Sequence, residues 1–160
     1  MAGPSSEITK GLEVRQHFYT SLPILTGIAG ATIAVGDVLE EDTAGLLALA
    51  DTDDVVTVVG VAMSAGTAAA ATVINYVPAW SGIIWEATLD HSSTTGHVLV
   101  VANRLQQFGL GIDSGNSKPY VAVDEVTATL FNIVNFVDPL ATVRARVLVT
   151  FLQNKTVWGA

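Results

Sequence analysis

Residues 55 to 85 contain no charged side chain. A run of this kind is accommodated in lipid, in a protein core or under a partner, and its chemistry argues against lipid. A membrane span reads as about 20 consecutive apolar residues. Here the run is broken by Gly60, Gly66, Pro78 and Gly82, and it carries Thr57, Ser64, Thr67, Thr72, Asn75 and Ser81. Its apolar members are largely small or β-branched: Val55, Val56, Val58, Val59, Val61, four alanines at 68–71, Val73 and Ile74. Such pieces between turn residues read as short buried strands. The flanks are acidic (Asp53 and Asp54 before, Glu86 after), whereas the cytoplasmic flank of a span is commonly basic. No membrane association is expected.

The same strand signal recurs along the chain. Leu12, Val14, Gln16 and Phe18 alternate with Glu13, Arg15, His17 and Tyr19. Ala31, Ile33 and Val35 alternate up to a Gly36-Asp37 turn signal. Ile83, Trp85, Ala87 and Leu89 form one face of a further run, and Val143, Ala145, Val147, Val149 and Phe151 one face of the last. Successive strand side chains face opposite ways, so each run offers one apolar and one mixed face. Turn residues fall between the runs, at 27–30, 36–37, 43–45, 51–54, 64–66, 78–82, 91–96, 113–117 and 138–139. Residues 68–71 could form one helical turn, and residues 127–135 are open between helix and strand. The pattern predicts an all-β chain: a single-domain antiparallel β-barrel or sandwich over residues 21–160, with an extended N-terminal arm over residues 1–20. Residues 1–6 are small or polar. They are either a disordered start or a segment ordered against a neighbour. Residues 1–10 hold no apolar run after a basic start, so no signal peptide is expected.

Half of the 160 residues are hydrophobic and only 14% are charged, against about 25% in ordinary soluble domains. A domain rich in Ala and Val would show this, and so would a surface buried between subunits, because interface cores are depleted in charge. The seven basic residues are scattered against 15 acidic ones, a net charge of −8. A nucleic-acid partner would need a basic face, so none is expected. The absence of cysteine excludes thiol chemistry and disulfides.

Catalytic and ligand motifs are weak. Asp90-His91-Ser92-Ser93 holds the letters of a hydrolase triad, but adjacent turn residues cannot supply its geometry. His17, His91 and His97 lack metal-ligand spacing. Asp51, Asp53 and Asp54 lack the spacing and terminal Glu of a calcium loop, and Glu40, Glu41 and Asp42 read as another solvated acidic turn. Gly109, Gly111 and Gly115 look like a phosphate cradle but precede no helix, and read as a loop. No catalytic, cofactor or metal residue is expected, and no enzyme.

One order of segments is distinctive. Ala31-Thr32-Ile33-Ala34-Val35-Gly36-Asp37-Val38-Leu39 is followed by an acidic turn at 40–45 and a strand at 46–50. Then come Val58-Val59-Gly60-Val61-Ala62, a small-residue loop at 64–71, a strand at 73–77 leading to Trp85, and closing strands from Tyr120-Val121-Ala122-Val123 to 143–151. Over residues 20 to 152 this order resembles the capsid decoration, or cement, proteins of tailed bacteriophages. The resemblance implies a β-protein that forms a homotrimer on the outer capsid surface of the virion after synthesis in the host cytoplasm. There it would bridge neighbouring major capsid protein subunits and stabilise the head, by apolar burial and by the avidity of many copies. The arm, roughly residues 5 to 20, would add a strand to a neighbour's sheet edge. An alternative is a carbohydrate- or surface-binding β-module of a head fibre or adhesin, with Trp80, Trp85 or Tyr76 as stacking residues. For Trp85 the apolar face of its strand favours the core. Trp158, close to the chain end, is either tucked on its own core or an anchor for a partner's pocket.

Overall fold

The structure, a computed structural model, describes Ile8 and residues 10–51, 58–92 and 96–159. These residues form an all-β sandwich. In chain order the strands are β1 (Glu13–His17), β2 (Leu25–Ile28), β3 (Val38–Glu41), β4 (Leu47–Leu49), β5 (Val58–Ala62) and β6 (Val73–Pro78). They continue with β7 (Ile83–Asp90), β8 (Gln107–Ile112), β9 (Pro119–Ala122), β10 (Thr129–Phe136) and β11 (Arg146–Phe151). One sheet has the order β1-β7-β11-β10-β8-β9, the other β2-β6-β5-β3-β4. The ladders are antiparallel except at β7 and β9, where Leu89 lies opposite Val121 and Asp90 opposite Ala122 in parallel. That pairing closes the first sheet on itself. In the second, a parallel bridge from Ala29 to Leu47 ties the chain after β2 to β4.

The main core combines both sheets. Trp85, Leu89, Phe131, Ile133, Val147, Val149 and Phe151 of the first meet Val38, Val58, Val61 and Val77 of the second. A smaller core of Ala29, Ile33, Leu39, Leu47, Val59, Ala62, Ile74 and Tyr76 fills the far side of the second sheet. All five residues of β5 are therefore buried, which is why its sequence is continuously apolar rather than alternating. Gly60 is obligatory there: a Cβ would come within 2.2 Å of the Val77 carbonyl oxygen. The uncharged run expected to be buried strands thus becomes β5, β6 and the start of β7, apart from residues 55–57, which lie outside the described residues. No helix among the described residues is long and apolar enough to cross a membrane.

Several sequence expectations change. Residues 31–35 are not a strand but a loop with a single bridge, from Ile33 to Gly66. Asp37 holds the loop by accepting a hydrogen bond from the Ala34 N–H at 2.7 Å, and Gly36 turns the chain at φ +89°. Gly109 and Gly111 lie in strand β8, paired along β9, and not in a loop; a Cβ on Gly111 would meet the Tyr120 ring at 2.3 Å, which is why that strand position is glycine. The ambiguous segment at 127–135 is largely β10. Residues 68–71 form a turn closed by the Ala71 N–H on the Ala68 carbonyl, with Ala71 left-handed at φ +47°. Of the segment expected to be an arm, Glu13–His17 is a strand of the same chain's sheet, paired along β7. Ile8 is also held in place: its N–H donates to Asp113 Oδ2 at 2.8 Å, its carbonyl accepts from Asn116 Nδ2, and its side chain packs on Tyr120 and Ala122. Residues 1–7 and Thr9 lie outside the described residues.

Candidate functional site

Two uncharged stretches meet on one side of the molecule. Residues 16–36, like 55–85, contain no Asp, Glu, Lys or Arg. The fold pairs them as β2 and β6, with Ile28 opposite Val73 and Thr26 opposite Asn75. Facing pairs of this kind put their side chains on the same side of the sheet, within about 5.5 Å at Cβ.

At one end of this side stands an aromatic corner. A register shift between Val14 and Gln16 breaks the alternation of β1, so Leu12 is buried while Phe18 is 73% exposed. The Phe18 N–H donates to the Gly82 carbonyl at 3.0 Å. The Tyr19 hydroxyl donates to the Ser81 carbonyl at 2.5 Å. Gly82, at φ +83°, makes the turn from β6 to β7 that presents Trp80. The Trp80 ring lies 5.7 Å from Tyr19 at 59° and 5.8 Å from Trp158 at 89°. Trp158 is anchored by its indole N–H on the Val59 carbonyl, at 2.7 Å. It is thus tucked on its own chain and still 40% exposed. Of the three stacking candidates from the sequence, only Trp80 belongs to this corner. Trp85 is buried edge-on to Phe151, with ring centroids 5.6 Å apart, and Tyr76 is buried in the smaller core. Phe18 and Tyr19 are members the sequence reading missed. Their position at the start of an uncharged stretch was the available signal.

A charged cluster lies along β1, β7 and β11. Glu86, nearly buried on β7, accepts from Arg146 Nη1 at 3.2 Å and forms an ion pair with Arg15 Nη1 at 3.1 Å that lacks hydrogen-bond geometry. Arg146 also binds Asp138 at 2.7 Å, and these side-chain and main-chain hydrogen bonds hold the Asp138 carboxyl below its usual range. Lys10, Glu13, Glu86, Asp138, Arg144 and Arg146 line an open cleft of about 310 Å³. Each of these carboxylates has a basic partner in the same cluster or beside it.

The polar motifs of the sequence do structural work. Asp90, fully buried, accepts from the His91 and His97 N–H groups, each at 2.8 Å, and from Arg144 Nε at 2.9 Å. Ser92 donates through its hydroxyl and its N–H to Asp124, which His91 Nδ1 approaches to 3.8 Å. Burial pushes the Asp124 carboxyl up, but the Ser92 hydrogen bonds outweigh it and leave it below its usual range. Ser93 lies outside the described residues. The triad letters therefore serve as turn anchors: Ser92 faces a carboxylate, and Asp90 serves main chain and arginine. His97 Nε2 lies 3.0 Å from Asn103 Oδ1, while His17 is on β1, far along the chain. Among the described residues no group of three or more His, Asp or Glu is placed to hold a metal ion. Asp53 and Asp54 are outside those residues. Glu40 and Glu41 are in β3, and Asp42 caps the turn into β4 by accepting from the Ala44 and Leu46 N–H groups. Gly115 donates to Asp113 in the β8–β9 turn.

Compared with models of protein families, with curated proteins and with solved structures, the chain matches none.

Proposed function

We propose that the chain is a structural subunit that catalyses no reaction and works by binding protein surfaces, as a decoration protein on the outside of a tailed-phage head. It would act as a homo-oligomer, a trimer by the family resemblance, bridging major capsid subunits to stabilise the shell. The observation that supports this reading is the joining of two uncharged stretches into one side capped by Phe18, Tyr19, Trp80 and Trp158. Contiguous exposed apolar surface marks interaction sites, and Trp and Tyr are over-represented where binding energy concentrates.

A glycan-binding module is the second reading, favoured by the exposure of the corner. The ring planes at 59° and 89° count against it, because the three rings share no common plane on which a flat sugar face could stack.

Co-sedimentation with purified heads of the phage that encodes the chain tests the proposal. Phe18→Ala should weaken head binding about tenfold or more, the scale of an interface hot spot, with circular dichroism unchanged. Wild-type protein that fails to sediment with heads, or that binds a glycan array through Trp80 instead, would overturn it.

A further inference from the structure

In the charged cleft two like charges face each other. Glu13 of β1 stands opposite Glu86 of β7, and Thr88 of β7 opposite Arg146 of β11. Facing residues share one side of a sheet, as do residues two apart on a strand. Glu13, Glu86, Thr88 and Arg146 therefore form one wall. The loop from Asp138 to Arg144 forms another. It is held by Arg144 Nε on the buried Asp90 and by the Leu99 N–H on the Thr142 carbonyl at 2.9 Å. Like charges directly opposite destabilise a sheet. Glu86 adds a second oddity: it is 5% exposed, yet its Oε2 accepts no hydrogen bond, with Arg15 Nη1 3.1 Å away and out of hydrogen-bond geometry. A buried acceptor without a donor is a loss of stability that calls for an explanation. A ligand hydroxyl that donates to Oε2 supplies one. The Arg15 side chain is half exposed, so swinging it outward opens Oε2 to the cleft.

Charge and lining select the ligand. Lys10, Arg144 and Arg146 line the cleft against Glu13, Glu86 and Asp138, a net charge of zero. An anion meets no surplus of positive charge there and is repelled by the −8 of the whole chain. An ammonium or guanidinium group would compete with Lys10, Arg15 and Arg146, which already neutralise the carboxylates. Ala87 and Val143 are the only larger-than-glycine apolar side chains among the described lining, too few for an apolar ligand. What is left over is hydrogen-bonding capacity: the second oxygen of Glu86, the spare N–H groups of Lys10, and the Thr88 and Thr142 hydroxyls, which form no hydrogen bond among the described residues. Neighbouring hydroxyls of a sugar each donate and accept, and so match such a set.

We propose that this cleft is a binding site for a neutral saccharide, with Glu13 and Glu86 accepting from its hydroxyls and Lys10 and Thr142 donating to them. The volume of about 310 Å³, small for a ligand pocket, suits a mono- or disaccharide. The site goes beyond the reading as a head-bound subunit and does not depend on it.

Saturation-transfer NMR on the full chain tests this, with glucose, galactose, mannose, N-acetylglucosamine and their disaccharides in solution, beside an array that presents the same sugars at chain ends. At least one of these sugars should bind. Binding on the array as well assigns the site to the end of a glycan, and binding in solution alone to a free sugar. Glu86→Gln should weaken binding about tenfold or more, the loss of a hydrogen bond to a charged group. Thr142→Val keeps the side-chain shape and should weaken it about threefold, with circular dichroism and head co-sedimentation unchanged. Trp80→Ala should leave sugar binding as it is, which separates the cleft from the aromatic corner. A wild type that binds none of these sugars would overturn the proposal. So would binding that both cleft variants leave intact, that Trp80→Ala removes, or that acetate or methylguanidinium displaces.

Discussion

The β1–β7–β11 side and the β2–β6 side of this small protein use their surfaces in opposite ways. The first gathers Lys10, Arg15, Arg144 and Arg146, four of the seven basic residues of the chain, against Glu13, Glu86, Asp90 and Asp138. There β1 is an edge strand, and its charges and register shift blunt it against pairing with other chains. In the second, residues 16–36 and 58–85 carry no Asp, Glu, Lys or Arg, and Phe18, Ile28, Met63, Val73 and Trp158 are exposed. The contrast teaches that a low charge content need not be spread evenly. Eight charged residues gather along and beside β1, β7 and β11, whereas residues 16–36 and 58–85 carry none.

The sharpest way to break this contrast is to attack the charged side. Arg144→Ala would leave the fully buried Asp90 without its cation, and removal of one partner of a buried pair costs about 3–5 kcal/mol. Urea unfolding should show a loss near 3 kcal/mol, since Asp90 keeps two main-chain donors. An unchanged midpoint would mean the pair is not structural. Gly82→Ala should cost about 1–2 kcal/mol, the penalty for a side chain in the left-handed region, and should loosen the aromatic corner with it. Tryptophan fluorescence during the same titration reads both effects. Phe18→Ala should change stability by no more than about 0.5 kcal/mol, as expected for an exposed side chain, while head binding falls. A large stability loss would make Phe18 a packing residue and dissolve the contrast.

The smallest expected effect is on pH. Asp124 and Asp138 titrate below their usual value in the fold, so their stabilisation is present above pH 3.8 and is lost as pH drops through the lower folded values. Asp37 has the opposite sign. Burial raises its carboxyl despite the Ala34 N–H, so its charged form costs stability, and that cost fades as pH falls through the raised value. Asp138→Asn should flatten the acid limb of a stability–pH profile, and Asp37→Asn should lower the profile's excess at mildly acidic pH.

Much of the fold was legible because it depends on local pattern. The apolar run Val58-Val59-Gly60-Val61 announced a short buried strand, and the run from Ile83 to Leu89 placed Trp85 in the core. The all-β class followed from turn residues between such runs. What was hidden depends on contacts distant in sequence. Residues 31–35 alternate like a strand, but Asp37 and Gly36 capture them as a loop. Gly109 and Gly111 read as a loop until Tyr120 and Glu125 press on the space where their side chains would be. Segments 16–36 and 55–85 could each be seen to lack charge, but only the β2–β6 ladder shows that they form one surface. The shift after Val14 that turns Phe18 outward leaves no trace in the alternation itself.

Hydroxyl-radical footprinting of the protein, free and then mounted on purified heads, addresses the central claim most directly. Phe18, Met63 and Trp158 should lose several-fold in oxidation rate on the heads, while the equally open Leu105 and Leu140 keep theirs. Rates for Phe18, Met63 and Trp158 that stay the same in both states would contradict the account, because the uncharged side would then face water in the assembled particle as well.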